Sequence, residues 1–512
     1  MSDYTPLDEI STIRDAVKAG FASGKTRNVA YRKAQLLQLA HMVKDNAEQM
    51  VSSLREDLSR PRLEAYFLEL GAVLKEAMIA YKKVDKWAAP EGVPFSITTS
   101  AMFGKVYKQP KGAVLIIGPF NYPYWCTLTP LIGAIAAGCT AVVKPSELSS
   151  ASMKLLVELL PKYLDQDCYR IVTGAIPETT KLLELQWDHI MYTGSGMVGK
   201  IVAAAAAKHL TPITLELGGK SPVIVDKSAD VTLTARRVLW AKMANAGQTC
   251  VAPDYILVAK DKHDALVEAL LETYEQFYPK AEGGAAESTS FARLVNQRHF
   301  ERVQKVLDRT KGEIVAGGET NATTKYIAPT IVKNVSLDDS LMEEELFGPV
   351  LPIIPVDSFQ HAVDYVNTRD HPLALYLFCN DHKVKASVLE QTQSGMAMVN
   401  DLIISAGVEG LGFGGIGAVG MGAHSDKTGF EQFTHRRSTI HVPAWVDLLM
   451  KFRFPPYSSR KESTALALLM PSVPRGLSGT SSFNWLLWGP LIAIVGAAAG
   501  VLTKKQAISS GK

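Results

Sequence analysis

HIMYTGSGMVGKIVAAAAAKHL, residues 189–210, is the stretch on which the fold turns. Its first part is a short β-forming apolar run and its last part an alanine-rich helical run, so the glycines between them mark a strand-to-helix turn. Gly194-Ser195-Gly196-Met197-Val198-Gly199 matches the GxGxxG pattern where that pattern has meaning, after a strand and opening a helix. The first N–H groups of such a helix have no carbonyl partner and favour a pyrophosphate. A dinucleotide fold also wants an acid about 20 residues beyond its first glycines. Glu216 stands at that distance, and spacing alone assigns it to a ribose. A second match, Gly412 to Gly417, lies in residues 407–422, where eight of sixteen residues are glycine. No helical pattern follows it, so it reads as a loop packed against a ligand or a neighbouring domain.

Outward from the turn, short apolar runs alternate with helical stretches. GAVLIIG, TAVVKP and YRIVTG precede it as strands, with helical patterns in TLTPLIGAIAAG and SSASMKLLVELLPKYL between them. SPVIVD, YILVAK, APTIV, VLPIIPV and LALYLFC follow it as a second set. Alternation of this kind predicts βαβ units and mostly parallel sheets, hence two α/β domains. Residues 11 to about 90 read as helices, FSITTSAMFGKVYKQP as a hairpin or arm, and the proline- and serine-rich 455–482 as a linker holding a short helix.

The 512 residues bear 54 Lys and Arg against 51 Asp and Glu, and 47% are hydrophobic. A disordered chain is excluded, and the near-balance of charge gives no support to a nucleic-acid binder. Five cysteines without a CxxC pair exclude a disulfide framework and a zinc site, so no metal is expected. The acidic N-terminus, MSDYTPLDE, is neither a secretory signal nor a transit peptide. At the other end FNWLLWGPLIAIVGAAAGVL, residues 483–502, carries no charge over 20 residues. As a helix it would reach about 30 Å, the thickness of a bilayer core. Trp485 and Trp488 suit an interfacial belt at one end, and Lys504 and Lys505 close the other. It reads as a transmembrane tail anchor that leaves the main body in the cytosol, with endoplasmic reticulum, mitochondrial outer membrane and peroxisome as open destinations.

GPFNYPYW (118–125), VVKPSE (142–147), LELGGKSP (215–222), NAGQTCVAP (245–253) and EEELFGPVLP (343–352) occur in that order. Together they closely resemble the aldehyde dehydrogenase superfamily over roughly residues 10–460. The run FGGIGAVGMGAHSDKTGFEQFTHRRS and the FRFPPY that follows resemble its class 3 branch, and the hydrophobic tail its membrane-bound fatty aldehyde dehydrogenases. The resemblance implies a Rossmann-like cofactor domain (1–95 and 109–217), an α/β catalytic domain (218–425) and a small oligomerisation arm (96–108 and 426–455). A linker (456–482) and the transmembrane tail (483–502) complete the expected organisation.

The chemistry is consistent with those residues. Hydride leaves an aldehyde best from a tetrahedral adduct, so a nucleophile is needed, and thiolate is the strongest a side chain offers near neutral pH. Cys250, in a polar loop of small residues, is the candidate, while Cys126, Cys139, Cys168 and Cys379 read as inert buried thiols. By resemblance, Asn121 and the Cys250 N–H hold the oxyanion, and Glu216 activates water for thioester hydrolysis, which replaces its ribose assignment. The resemblance also implies Lys144 and Glu147 at the adenine ribose, Gly194, Ser195 and Gly199 at the pyrophosphate turn, and Glu345 and Phe347 at the nicotinamide. A carboxylate at Glu147 favours NAD over NADP, with NADP still possible because class 3 relatives accept both. Glu343 and Glu344 read as solvated charges, and His189 and His209 as packing or surface histidines.

The anchor favours a lipophilic, long-chain aldehyde. A fatty aldehyde and a polyene or apocarotenoid aldehyde fit equally, and the product is the carboxylic acid. The class 3 resemblance implies a homodimer, and Ser463–Met470 is expected to form a small apolar helix gating the substrate tunnel. A soluble-type semialdehyde dehydrogenase and a non-catalytic membrane-attached binding module are the competing readings.

Overall fold

Two sheets carry the structure, a computed structural model that describes residues 4–96, 99–470 and 473. Strands Ala113–Ile117 and Thr140–Lys144 are buried at every residue, as the inner strands of a parallel sheet covered on both faces must be. In spatial order the first sheet runs Gly420–Met421, Ile213–Leu217, His189–Gly194, Ala113–Ile117, Thr140–Lys144, Tyr169–Ile171. All neighbours are parallel except the short edge strand Gly420–Met421. The glycine-rich stretch at 407–422 thus supplies a strand, with Gly420 opposite Glu216. As expected no helix follows its GxGxxG match directly, only the 3-10 turn Gly417–Val419.

The second sheet runs Glu313–Ala316, Thr330–Lys333, Val350–Val356, Tyr255–Ala259, Pro222–Val225, Ala374–Phe378, Met396–Val399. Only its first pair is antiparallel. Both sheets lie in one compact unit, made of the chain up to Ala88 and of Pro110–His435. The N-terminal region is helical as predicted, with Glu9–Ala22, Val29–Asp45, Ala47–Leu58 and Gly71–Ala88. A π-helical stretch, Ala65–Leu70, leads into the last of them.

Ala89–Gln109 and the chain from Arg436 form a second unit. Glu91–Gly92, Lys105–Pro110 and Thr434–Thr439 make a three-stranded sheet, and Glu91 pairs with Lys108 and with Arg436 at 2.6 Å. The short helix expected at 463–470 is longer than the apolar run alone: it spans Ser459–Leu469, and none of its residues is buried. It starts earlier because Ser458 caps it, its side chain accepting from the Lys461 N–H at 3.4 Å. No helix among the described residues is long and apolar enough to cross a membrane, and the 483–502 segment lies outside them.

Helix Trp125–Ala137, buried at all its residues, follows strand Ala113–Ile117 in the chain and packs against helices Gly71–Ala88 and Asp426–Gln432. Gly133 allows the last contact, because a Cβ there would stand 2.6 Å from the Gly429 carbonyl oxygen. Gly133→Val should therefore destabilise the protein by about 1–3 kcal/mol, despite its better helix propensity. Thermal unfolding measures this, and an unchanged midpoint would show that the two helices separate freely.

Candidate active site

Sheet register gathers the candidate residues at one edge. Ile117 is level with Lys144 and with Tyr192, Thr193 with Glu216, and Gly194 with Leu217. The carboxyl ends of four adjacent strands therefore open on the same side, where open α/β sheets bind ligands. After Leu217 the chain crosses through Gly218, Gly219 and Lys220 into Pro222–Val225 of the second sheet. Glu216 sits just before this crossing, 3% exposed, and neither of its carboxylate oxygens has a hydrogen-bond partner among the described residues. Burial raises its pKa well above the ordinary carboxylate range.

Cys250 follows a tight turn that places Asn245 and Ala246 in the left-handed region, with φ of 51° and 52°. Gly247 has φ of +75°, and a Cβ on it would lie 2.2 Å from the Gly348 carbonyl oxygen, so only glycine fits. The Asn121 Nδ2 donates to the Gln248 carbonyl at 3.0 Å, and the Tyr122 and Thr249 hydroxyls are 2.9 Å apart. Asn121 and the cysteine loop are thus held together. Cys250 is partly accessible, unlike the four other cysteines, all of which are buried. Its thiol is pushed up to about 12, first by burial and then by the carboxyls of Glu345 and Glu216.

Several residues of this centre carried no separate sequence signal. Arg60, Glu69, Asn121, Asn245 and Gln248 form one buried polar network. Glu69 accepts from the Tyr124 and Trp125 N–H groups at 2.6 and 3.1 Å, capping helix Trp125–Ala137. Glu64 accepts from the Asn245 N–H at 2.9 Å, and burial raises its carboxyl to about 7. Asn245 and Gln248 belong to the NAGQTC motif and could have been singled out. Arg60 and Glu69 lie far away in sequence, and only the folded chain brings them in.

The cofactor candidates fall into two groups. Lys144 and Glu147 form an ion pair of 2.9 Å at the end of strand Thr140–Lys144. Ser195 occupies the N-cap of helix Gly196–Ala207, and a Cβ on Gly196 would meet nothing within 4 Å. That helix terminus therefore faces open space and fits a pyrophosphate. Gly194 ends the strand before it, whereas Gly199 faces the Leu217 side chain, which a Cβ would meet at 2.7 Å, so close packing explains that glycine.

Glu345 and Phe347 lie on the loop between Ser340–Met342 and strand Val350–Val356. Lys220 fixes this loop by donating to the Leu341 and Glu344 carbonyls at 2.8 and 2.9 Å and to Asp254 at 2.5 Å. Asp254 in turn accepts from the Leu346 N–H at 3.1 Å. Glu345 lies against Gly218, and burial and the neighbouring Asp254 raise its carboxyl to about 8. Phe347 packs edge-on against Phe120, ring centres 6.0 Å apart.

The histidines and outer acids behave as packing and surface groups. His189 is buried between the Thr214 hydroxyl and the Lys111 amine, and half-buried His209 lies 3.2 Å from the Glu184 carbonyl. Glu343 and Glu344 are exposed and pair with Arg309 and Arg302. No cluster of metal-ligating side chains occurs among the described residues.

Residues 4–439 match the aldehyde dehydrogenase family. The chain is 42% identical over 491 residues to aldehyde dehydrogenase family 3 member A2 of Mus musculus, covering 96% of this chain and 98% of the relative. It is 42% identical over 457 residues to beta-apo-4'-carotenal oxygenase of Neurospora crassa, covering 89% and 85%. The substrate-bound state of Staphylococcus aureus AldH superposes with a TM-score of 0.82 at 37% identity, covering 87% of this chain and 98% of the other.

A thiol held near 12 has a vanishing thiolate fraction at neutral pH, and that fraction grows tenfold with each pH unit. Alkylation of Cys250 by iodoacetamide in the cofactor-free protein should therefore accelerate about tenfold per unit from pH 6 to 9 without levelling. Peptide mass spectrometry measures it, and a plateau below pH 8 would show that the site stabilises thiolate on its own.

Proposed function

The chain belongs to the aldehyde dehydrogenase family, with the class 3 enzymes among its relatives, and on that basis we propose that it oxidises a lipophilic long-chain aldehyde at a membrane. The activity itself, NAD(P)-dependent oxidation of an aldehyde to its acid, follows from the family. The observation that carries the site assignment is Glu216: a buried carboxyl with no hydrogen-bond partner among the described residues, close enough to Cys250, the one accessible cysteine of the five, to oppose ionisation of its thiol. Leaving such a group unsatisfied is costly, and active sites are where that cost is met.

Cys250 Sγ, once deprotonated, adds to the aldehyde carbon and generates an alkoxide. The Asn121 Nδ2 has two hydrogens, one of them on the Gln248 carbonyl, and the second, without a partner among the described residues, serves that oxygen together with the Cys250 N–H. The cofactor, when bound, supplies the hydride acceptor. Lys144 and Glu147 would hold its adenine ribose, the Gly194–Ser195 turn its pyrophosphate, and Glu345 and Phe347 its nicotinamide half. Loss of hydride leaves a thioester on Cys250. Glu216, as carboxylate, then takes a proton from water, whose oxygen attacks the thioester carbon, and the acid departs as Cys250 recovers its sulfur. The Glu147 carboxylate favours NAD, since it would repel a 2′-phosphate.

Two observations support the membrane and the substrate class. From Arg436 to the end the chain carries ten Lys and Arg against two Asp and Glu, and it contains the uncharged 483–502 segment. Juxtamembrane cations of this kind are drawn to anionic leaflets. The match to family 3 member A2 spans 96% of this chain and necessarily enters that segment. The Neurospora crassa relative, by its name, acts on an apocarotenal, which supports a polyene aldehyde beside a fatty aldehyde as a candidate substrate. Helix Ser459–Leu469 is assigned the selection of chain length, and the chain is assigned a homodimer through its arm.

Cys250→Ala should abolish NAD reduction with every aldehyde, and a variant as active as the parent would refute the mechanism. Glu216→Gln should still release a first equivalent of NADH in a rapid burst while steady turnover falls about 10²–10⁴-fold; loss of the burst as well would remove Glu216 from the hydrolytic step. A panel of short, fatty and apocarotenoid aldehydes at saturating NAD and NADP identifies the substrate, with the highest kcat/KM expected for a long chain. Deleting residues 459–470 should shift that preference, and unchanged ratios between short and long aldehydes would sink the selector role.

A further inference from the structure

Arg60 is among the largest fully buried side chains of the protein, with no accessible side-chain surface, and the mechanism above makes no use of it. Each of its guanidinium nitrogens has a separate partner. Nη1 pairs with the Glu69 carboxylate, Nη2 donates to the Asn121 carbonyl, and Nε donates to the Asn245 Oδ1 at 3.2 Å. Its plane also lies over the Tyr122 ring, 4.4 Å from the centre.

The partners of Arg60 close a ring. The Asn245 Nδ2 donates to the Asn121 carbonyl and to the Gln248 carbonyl, both at 3.0 Å. The Asn121 Nδ2 donates to that same Gln248 carbonyl. Asn121 follows strand Ala113–Ile117 of the first sheet, whereas Asn245 and Gln248 belong to the loop that ends in Cys250 and enters the second sheet. Two oxyanion donors from different sheets must converge on one point, and an error near 1 Å costs about 10²-fold in rate.

We propose that Arg60 is the positioning residue that sets the distance between the Asn121 amide and the Cys250 loop, acting through the Asn121 carbonyl and the Asn245 side chain. This rests on the assignment of Asn121 and Cys250 to the reaction centre. Arg60 touches neither substrate nor cofactor. Its fork ties both sides of the centre to one buried point, and Glu69 supplies the charge that keeps it there. A flexible ammonium at the same place could reach only some of these partners, because the fork geometry belongs to guanidinium.

The test is a double-mutant cycle in the full chain with NAD and a long-chain aldehyde. Arg60→Met should lower kcat about 100-fold while the KM for NAD stays within about twofold. Arg60→Lys should recover activity to within about tenfold of the parent. In an Asn121→Ala background, Arg60→Met should change kcat less than about threefold, because the donor that it positions is gone. An unchanged kcat in Arg60→Met, or the same fold-loss in both backgrounds, would overturn the proposal. If Arg60→Met does not fold, Asn245→Gly carries the cycle: glycine accepts the φ of 51°, and the variant removes one Arg60 partner while leaving the Glu69 pair. It should lower kcat about tenfold in the parent and leave the Asn121→Ala protein unchanged, and additivity again counts against the role. Full activity in Cys250→Ala or in Asn121→Ala alone would instead refute the underlying site assignment, so the two failures separate.

Discussion

A cation sealed from water lies beneath the candidate site, and much of the local structure exists to satisfy it. Desolvating the Arg60 guanidinium costs several kcal/mol, as does desolvating its Glu69 partner, and the pair offsets this only with every remaining hydrogen-bonding site filled. Glu69 fills its own by capping helix Trp125–Ala137, which fixes where that helix starts and so where Asn121 stands before it. Beyond Glu69, Arg60 donates to a carbonyl and an amide from two loops. A hydrophobic pair could fill the same volume, but it could not tie those loops together. The burial is therefore better understood as a constraint on geometry than as a source of stability.

Around that constraint the centre collects acidic groups that burial keeps neutral. Glu216, Glu345 and the Cys250 thiol all titrate above their usual ranges, and burial is the first cause in each case. The groups also oppose one another's ionisation, since a thiolate beside two carboxylates is unfavourable. The free protein consequently keeps the Cys250 thiol and the Glu345 carboxyl largely protonated near pH 7, and burial pushes Glu216 in the same direction. A cation entering the pocket reverses that preference, because an opposite charge within a few ångströms favours each anion. An oxidised nicotinamide ring is such a cation. The same burial that silences the cysteine in the free protein strengthens the effect of that charge, since a low local dielectric amplifies attraction and repulsion alike.

Lys220, Lys242 and Asp254 perform a similar task on the other side. Asp254 receives Lys220 at 2.5 Å and lies 3.7 Å from Lys242, whose own amine has no hydrogen-bond partner among the described residues. Burial lowers Lys242 to about 8. The two cations hold an aspartate whose second task is to accept the Leu346 N–H, and so they orient the loop bearing Glu345 and Phe347. Lys220 comes from LELGGKSP and Asp254 stands directly after NAGQTCVAP, so two motifs meet here to place a third, EEELFGPVLP.

What could be read from the sequence was whatever is local. A glycine turn between a strand and a helix has a pattern, because backbone and side chains impose it within a few residues, and the helix after Ser195 is where that pattern puts it. NAGQTC and LELGGK are legible for the same reason. Spacing says nothing of register. Glu216 lies at the distance of a ribose acid from Gly194, yet it lies in a strand between Thr193 and Gly420, and the sheet edge near Lys144 carries its own acid in Glu147. Gly420 itself has no strand signal, since its pairing is dictated by what stands opposite. Arg60 and Glu69 read as ordinary charges among helical residues, because nothing within a helical period separates a solvated arginine from one that crosses the core to another loop. Charges with distant partners become legible only once the chain has closed, and in this protein that class includes the Arg60–Glu69 pair that joins Asn121 to the cysteine loop.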